Sequence, residues 1–188
     1  MERLKQDSLS RRNKISRAFW AMTYTLLFRP SPRPFFGWRR FLLRCWGAHV
    51  ESGVLVYPST RISAPWNLVM MEGSCLGDYV DCYNVTTVTL EEHSVASQYS
   101  FLCTASHDFD QVSHPLVTAA IRLEAYSWVT ADVFVGPGVI VGAGAVVLAR
   151  STVLKDVEAW KVCGGNPLRI LRDRKLSRGQ LEEHFTVN

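Results

Sequence analysis

The sequence lacks the covalent devices that hold many compact folds together. Its five cysteines, Cys45, Cys75, Cys82, Cys103 and Cys163, are odd in number and include no CxxC pair. That pattern speaks against a disulfide framework and against a zinc site. Reduced, mostly buried thiols in a cytoplasmic protein fit better. Long apolar runs are also missing: Ala18–Phe28 is about half the length that crosses a bilayer. The N-terminus is polar through Asn13, unlike a secretory signal. Positive charge is scarce in the middle of the chain. Residues 51–150 hold three basic residues (Arg61, Arg122, Arg150) against ten acids. Residues 1–44 instead carry eleven Lys and Arg against two acids, and Lys155 to Arg178 carry seven against three. A basic end segment is usually a solvated face; the sharper reading is that both ends meet anions, such as phosphate or a membrane surface, and no nucleic-acid partner is expected.

What the chain does have is a repeat. From Val117 onward an aliphatic residue recurs at every sixth position: Val117, Leu123, Val129, Val135, Val141, Val147 and Val153. Two residues before the later ones stand Ser127, Val133, Val139, Ala145 and Ser151. An α-helix repeats at about 3.6 residues and a simple strand at 2, so a period of six belongs to neither. It describes a short strand followed by a sharp corner. Three such strands close a triangular coil, and coils stack about 4.8 Å apart as strands in parallel sheets do. Val117, Val135 and Val153 then share one face, Leu123 and Val141 the next, Val129 and Val147 the third. Gly136, Gly138, Gly142 and Gly144 suit the corners.

The same period runs earlier through Val50, Val56, Ile62, then Met70, Leu76, Cys82, then Leu90, Ala96, Leu102. Two slips of two residues predict corner bulges at Trp66–Asn67 and Val85–Thr87. Cys103–Leu116 reads as a loop thrown out of one corner, and a loop held by a rigid scaffold is where chemistry is expected. The predicted organisation is a basic, aromatic helical segment over 1–48, a solenoid over 49–158 with its loop at 103–116, and a C-terminal tail over 159–188. In the first segment Ile15–Phe28 and Phe36–Trp46 read as helices, separated by Pro30–Pro34 and ended at Gly47. Leu168–Phe185 reads as a helix that covers the far end. The aromatics of residues 1–44 serve either to cap the first coil or to touch an anionic membrane.

Several motifs carry a resemblance. Phe28-Arg-Pro-Ser-Pro, Gly37-Trp-Arg-Arg-Phe-Leu-Leu-Arg44 and Ala64-Pro-Trp-Asn-Leu68 resemble the colanic acid biosynthesis acetyltransferases. Leu102-Cys-Thr-Ala-Ser-His-Asp108 and Gly164-Gly-Asn-Pro-Leu-Arg169 are similar to the wider family of hexapeptide-repeat O-acetyltransferases, which includes galactoside and maltose acetyltransferases. The resemblance implies an all-β, left-handed parallel β-helix that assembles as a homotrimer. It implies transfer of an acetyl group from acetyl-CoA to a saccharide hydroxyl, with no metal.

The resemblance also implies roles. His107 stands where the family has its general base; an imidazole can take the proton of a sugar hydroxyl as it attacks. His114, before Pro115-Leu116, is the competitor. Asn84 matches a polar acceptor-binding position, although a corner Asn can also satisfy backbone. Asp108 could orient an imidazole or meet the acceptor. Trp128 precedes an inward Val and should point outward, into a groove between subunits near the acyl arm. Lys155, Arg169 and Arg172 match basic positions that meet the phosphates of coenzyme A. Backbone N–H groups of Ala131, Gly142 and Ala149 are candidates for the pantetheine amides. Val157-Glu158-Ala159 departs from the family, where prolines usually follow the Lys-Asp pair. Two other readings of the fold stand beside this one. A γ-carbonic-anhydrase-like metalloenzyme needs a histidine spacing that His93, His107 and His114 do not have. A catalytically inactive structural subunit would leave His107 and the basic tail without a role.

Overall fold

The structure is a computed structural model that describes residues 5–6 and 10–186. The first residues of the basic segment, Arg3 among them, and the last two of the tail lie outside that range. The six-residue period closes into a parallel β-solenoid with three sheets. The first face stacks His49–Val50, Leu68–Met70, Val88–Leu90, Ile121–Leu123 and Ile140–Val141. The second stacks Leu55–Val56, Cys75–Leu76, Val95–Ala96, Trp128–Val129, Val146–Val147 and Lys161–Gly164. The third stacks Arg61–Ile62, Asp81–Tyr83, Phe101–Cys103, Phe134–Val135 and Thr152–Val153. Alternate residues point inward, and Val56, Leu76, Ala96, Val129 and Val147 form one buried column. Branched side chains fit such strands, and each coil buries its apolar face on its neighbours.

Corners need special backbone. Tyr79, Tyr99, Asp132 and Arg150 all adopt positive φ at the corner between the second and third faces. At the opposite end of the second face Gly73 and Gly144 also have positive φ, and a Cβ there would press into the rings of His93 and Trp160 in the next coil. Serines close several corners from inside: the hydroxyls of Ser74, Ser94 and Ser151 donate to carbonyls three residues back.

Both predicted bulges exist, as a 3-10 turn at Pro65–Asn67 and as bends after Asn84. They occupy the corner between the third and first faces. The same corner throws out the long insertion, which differs from the loop expected. It is an antiparallel hairpin, Ala105–His107 against Leu116–Thr118. Val117 therefore lies opposite Ser106 and not in the column with Val135; Leu102 holds that place. The spacing of Val117 matched the period without belonging to it.

The ladder runs from coil to coil, with Glu51 N donating to Met70 O and Tyr57 N to Leu76 O, and with corner residues bonding back to the preceding coil, as in His93 N to Glu72 O and Tyr99 N to Asp78 O. The first coil has no preceding coil, so carbonyls on its outer side are left over. Helix α1 (Arg11–Thr23, continued by a π-helical turn at Tyr24–Phe28) and helix α2 (Phe36–Cys45) supply the missing donors. The guanidiniums of Arg39, Arg40 and Arg44 donate to Val56 O, Val54 O and Val50 O, and the Trp20 indole to Ile62 O. Phe28, Leu42 and Leu43 bury the apolar end of the column. At the other end the tail differs from the helix expected over Leu168–Phe185. Arg169–Asp173 is a strand antiparallel to Lys161–Gly164, and only Arg178–Thr186, α3, is helical. The solenoid thus extends past residue 158 to Gly164.

Arg39 is wholly buried and also donates to Ser31 Oγ, Pro32 O and Arg33 O. Removing it strands the buried Val56 carbonyl and breaks three part-buried bonds at once. Arg39→Met should destabilise the fold by about 3 kcal/mol, read as a fall in the urea midpoint. Lys should not rescue it, because one ammonium cannot span the fork. An unchanged midpoint would show that the carbonyls of the first coil need no such donors.

Candidate functional site

The hairpin carries the central feature. His107 ends the strand Ala105–His107 and is exposed, with its Nδ1 2.7 Å from the carbonyl oxygen of His114. A carbonyl can only accept, so Nδ1 carries the hydrogen, and in the neutral ring Nε2 keeps a lone pair facing outward. His114 contributes through its backbone, which has positive φ and is held by a bond from its N–H to Gln111 O. The tip is closed by Asp108. Its N–H donates to Pro115 O, and its carboxylate accepts from Asp110 N and Gln111 Nε2. The Asp108 carboxylate thus shapes the tip beside His107.

The reading of Asn84 is corrected. Its side chain is fully buried, accepting from Ala64 N and donating to Ala64 O across one coil. The amide replaces ladder bonds that the bulge breaks, and no edge of it faces outward. Below the hairpin, Thr104 Oγ1 donates to Tyr83 O and accepts from Thr86 N, which ties the insertion to the coil beneath. Cys103 is buried beside His107's strand. Burial pushes its thiol above the ordinary range, and its Sγ–H donates to Ala105 O. It is a poor nucleophile in that state.

A cleft of about 400 Å³ lies between α1 and the third face, lined by Arg17, Trp20, Tyr24, Arg61, Asp81 and Tyr83 among others. It reaches the hairpin's base through Tyr83, whose backbone pairs with Cys103. Arg17 Nε donates to Asn13 Oδ1, while its buried Nη2 has no recorded partner among the described residues. Burial raises the Asp81 carboxyl above the usual range and outweighs the opposing pull of Arg61.

The groups expected at the donor end are spread over the second face and its edges. Trp128 points outward from that face, about half exposed, with its indole N–H donating to Ser97 Oγ at 2.8 Å. The hairpin leaves from the corner opposite this face, so one chain does not bring Trp128 and His107 together. Ala131 and Ala149 stand one coil apart at the corner between the second and third faces. Among the described residues neither N–H has a recorded acceptor. Gly142 lies at a different corner with its N–H on Val157 O, and a Cβ there would meet Ala159 N at 2.6 Å. That corrects Gly142: its N–H belongs to the ladder, and its missing side chain admits the next coil. Lys155 and Arg169 come together around a cleft of about 360 Å³ with Leu154, Asn166, Pro167 and Ile170. Arg172 does not line it. Its guanidinium donates to Asp173 O on the outer strand.

No family profile matches the sequence. Two curated relatives do. Each bears the name "Putative colanic acid biosynthesis acetyltransferase WcaF", one from Escherichia coli (strain K12) and one from Shigella flexneri. Each is 40% identical over 162 residues, covering 86% of this chain and 89% of the relative. The chain belongs to that acetyltransferase family. Among solved structures, a hexapeptide-repeat-containing acetyltransferase of Vibrio cholerae O1 biovar eltor, complexed with acetyl-coenzyme A, superposes with a TM-score of 0.80. It is 24% identical and covers 90% of this chain and 93% of its own. A maltose O-acetyltransferase from Clostridium difficile 630 gives 0.77 at 20% identity, covering 86% and 88%. A galactoside acetyltransferase in complex with coenzyme A gives 0.75 at 20% identity, covering 90% and 86%.

In this member of the acetyltransferase family several residues escaped sequence reasoning. Arg17, Arg61, Asp81 and Tyr83 come from three separate segments, and only folding of α1 onto the third face gathers them. Ser97 bears on Trp128 through a register of thirty-one residues that includes the hairpin. Asn166 had a signal, since it stands inside the Gly164–Arg169 motif.

The thiols give a simple check of this geometry. Cys45 is exposed, burial beside Asp78 pushes Cys75 up to about 11, and Cys82, Cys103 and Cys163 are buried. In the native protein at pH 8, a disulfide reagent should modify Cys45 rapidly and the other four only on unfolding. Rapid loss of the Cys103 thiol would contradict the placement beside the hairpin.

Proposed function

We propose that the protein is an acetyl-CoA-dependent O-acetyltransferase acting on a saccharide hydroxyl, in exopolysaccharide or cell-surface glycan biosynthesis, as a homotrimer in the cytoplasm. The observation that carries the reading is the His107 ring held by Nδ1–H on the His114 carbonyl. That tautomer leaves Nε2 as base. It takes the acceptor proton as the hydroxyl oxygen attacks the thioester carbonyl, and the imidazolium then returns a proton to the departing thiolate. One C–O bond forms, one C–S bond breaks, and the enzyme ends in its starting state. The raised Cys103 thiol favours direct transfer over an acyl-enzyme.

A trimer supplies what one chain lacks. A neighbouring copy would present Trp128 to the hairpin, and closed cyclic assembly is the ordinary way for identical chains to bury flat faces. Ala131 and Ala149 would meet the pantetheine arm, and Lys155 with Arg169 the phosphates. The sugar would sit in the cleft of Arg17, Arg61, Asp81 and Tyr83. Among the described residues no helix is long and apolar enough to cross a membrane.

His107→Ala should lose about two to four orders of magnitude in turnover while coenzyme A binding changes little. Cys103→Ala should retain most activity. Equal damage from both, with a trappable acetylated enzyme, would point to covalent transfer. Lys155→Ala and Arg169→Ala should raise KM for acetyl-CoA more than they lower kcat, because remote phosphates are bound alike in ground and transition states. Equal affinity of the wild type for coenzyme A and its 3′-dephospho form would remove the phosphate role. Light scattering should give a trimer at micromolar concentration; a monomer would leave Trp128 without a site.

A further inference from the structure

The N-terminal collar does more than its capping task requires. Trp20 and Phe28 of the first helical segment are buried against the solenoid, and Tyr24 packs beside them. On the opposite side Ile15, Phe19, Met22 and Leu26 recur at spacings of four, three and four, and they are 58%, 56%, 54% and 64% exposed. That spacing marks one continuous stripe of a helix. Its far end runs into a second apolar group. The Trp38 indole donates to Leu27 O, and the rings of Trp38 and Phe41 stack at 5.7 Å, both exposed. Capping the first coil uses none of these side chains.

Charge tells what could cover them. Between Ser8 and Val50 the chain has nine Lys and Arg and no carboxylate. Arg11, Arg12 and Lys14 lie exposed in the first turn of α1, and Arg29 lies exposed just past the stripe. A two-fold contact between collars of two copies would set cations against cations with nothing to neutralise them. An anionic lipid surface offers the complementary chemistry: acyl chains for the stripe and headgroup phosphates for the guanidiniums.

We propose that the outward face of residues 11–41 docks the protein onto an anionic membrane, with α1 lying in the plane of the interface. The stripe enters the boundary between headgroups and acyl chains, and Arg11, Arg12, Lys14 and Arg29 lie at headgroup level. This docking does not depend on the acetyl-transfer reading, and none of these side chains lines the cleft beside the hairpin or the Lys155 cleft.

The test is flotation of the full-length protein with vesicles of phosphatidylcholine, with and without phosphatidylglycerol, at low and high salt. The wild type should float with the phosphatidylglycerol vesicles at low salt and remain unbound to phosphatidylcholine alone. Phe19→Ser/Leu26→Ser and Arg11→Glu/Arg12→Glu/Lys14→Glu should each lower the bound fraction more than about tenfold. Both variants should keep the wild-type circular dichroism, oligomeric mass and transfer to a soluble acceptor. Wild type that stays unbound at low salt overturns the proposal. So does binding that both variants preserve. A Phe19→Ser/Leu26→Ser variant that loses the wild-type oligomeric mass would assign the stripe to a second copy, and that also overturns it.

Discussion

A parallel ladder that ends at its first coil leaves carbonyl oxygens facing outward there, and much of the molecule answers that fact. Buried carbonyls without donors are costly. Continuing the ladder would need another coil, which would only move the deficit. Guanidiniums end it, because each offers several N–H donors and no acceptor. Arg39, Arg40 and Arg44 meet Val56, Val54 and Val50, and the Trp20 indole meets Ile62. Part of the positive charge gathered at the N-terminus is thereby structural. At the other end the strand Lys161–Gly164 and the turn after it cover the last coil: Leu148 N donates to Cys163 O and Thr152 N to Gly165 O.

Between these ends the stack is regular, and the interruptions collect at one corner. The two bulges and the hairpin all leave between the third and first faces. At that corner Ala64, Asn84 and Thr104 lie over one another in successive coils, and each bonds the coil next to it. The broken ladder is thus rebuilt by side chains and fixes the base of the hairpin. The hairpin in turn fixes His107, through Leu116 on the paired strand and the carbonyl of His114 at the tip. Two histidines that look like rivals in the sequence have complementary parts. One presents its ring, and the other holds that ring through a main-chain oxygen.

The period of six was legible because inward positions tolerate only small or aliphatic side chains, so the geometry is written directly in residue type. Both slips were legible for the same reason. Val117 misled because a hairpin strand also favours a branched residue, and its place in the count was accidental. Asn84 could not be read correctly from type alone. A polar side chain at a corner serves a ligand or the backbone, and only burial decides. Gly142 could not be read from type either, since a neighbouring coil takes its N–H. The tail's strand was hidden by a sequence whose apolar residues suit either element. Arg17, Arg61, Asp81 and Tyr83 are ordinary residues until α1 folds onto the third face.

The central claim is a tautomer held by geometry: the neutral His107 ring carries its hydrogen on Nδ1 and its lone pair on Nε2. Nitrogen-15 NMR of the histidine-labelled protein at pH 8, with assignment by a His107→Gln control, reads that state directly. The account predicts a pyrrole-type shift for Nδ1 and a pyridine-type shift for Nε2, without the averaging of a free imidazole. A His107 ring carrying its hydrogen on Nε2, or exchanging freely between tautomers, would contradict it.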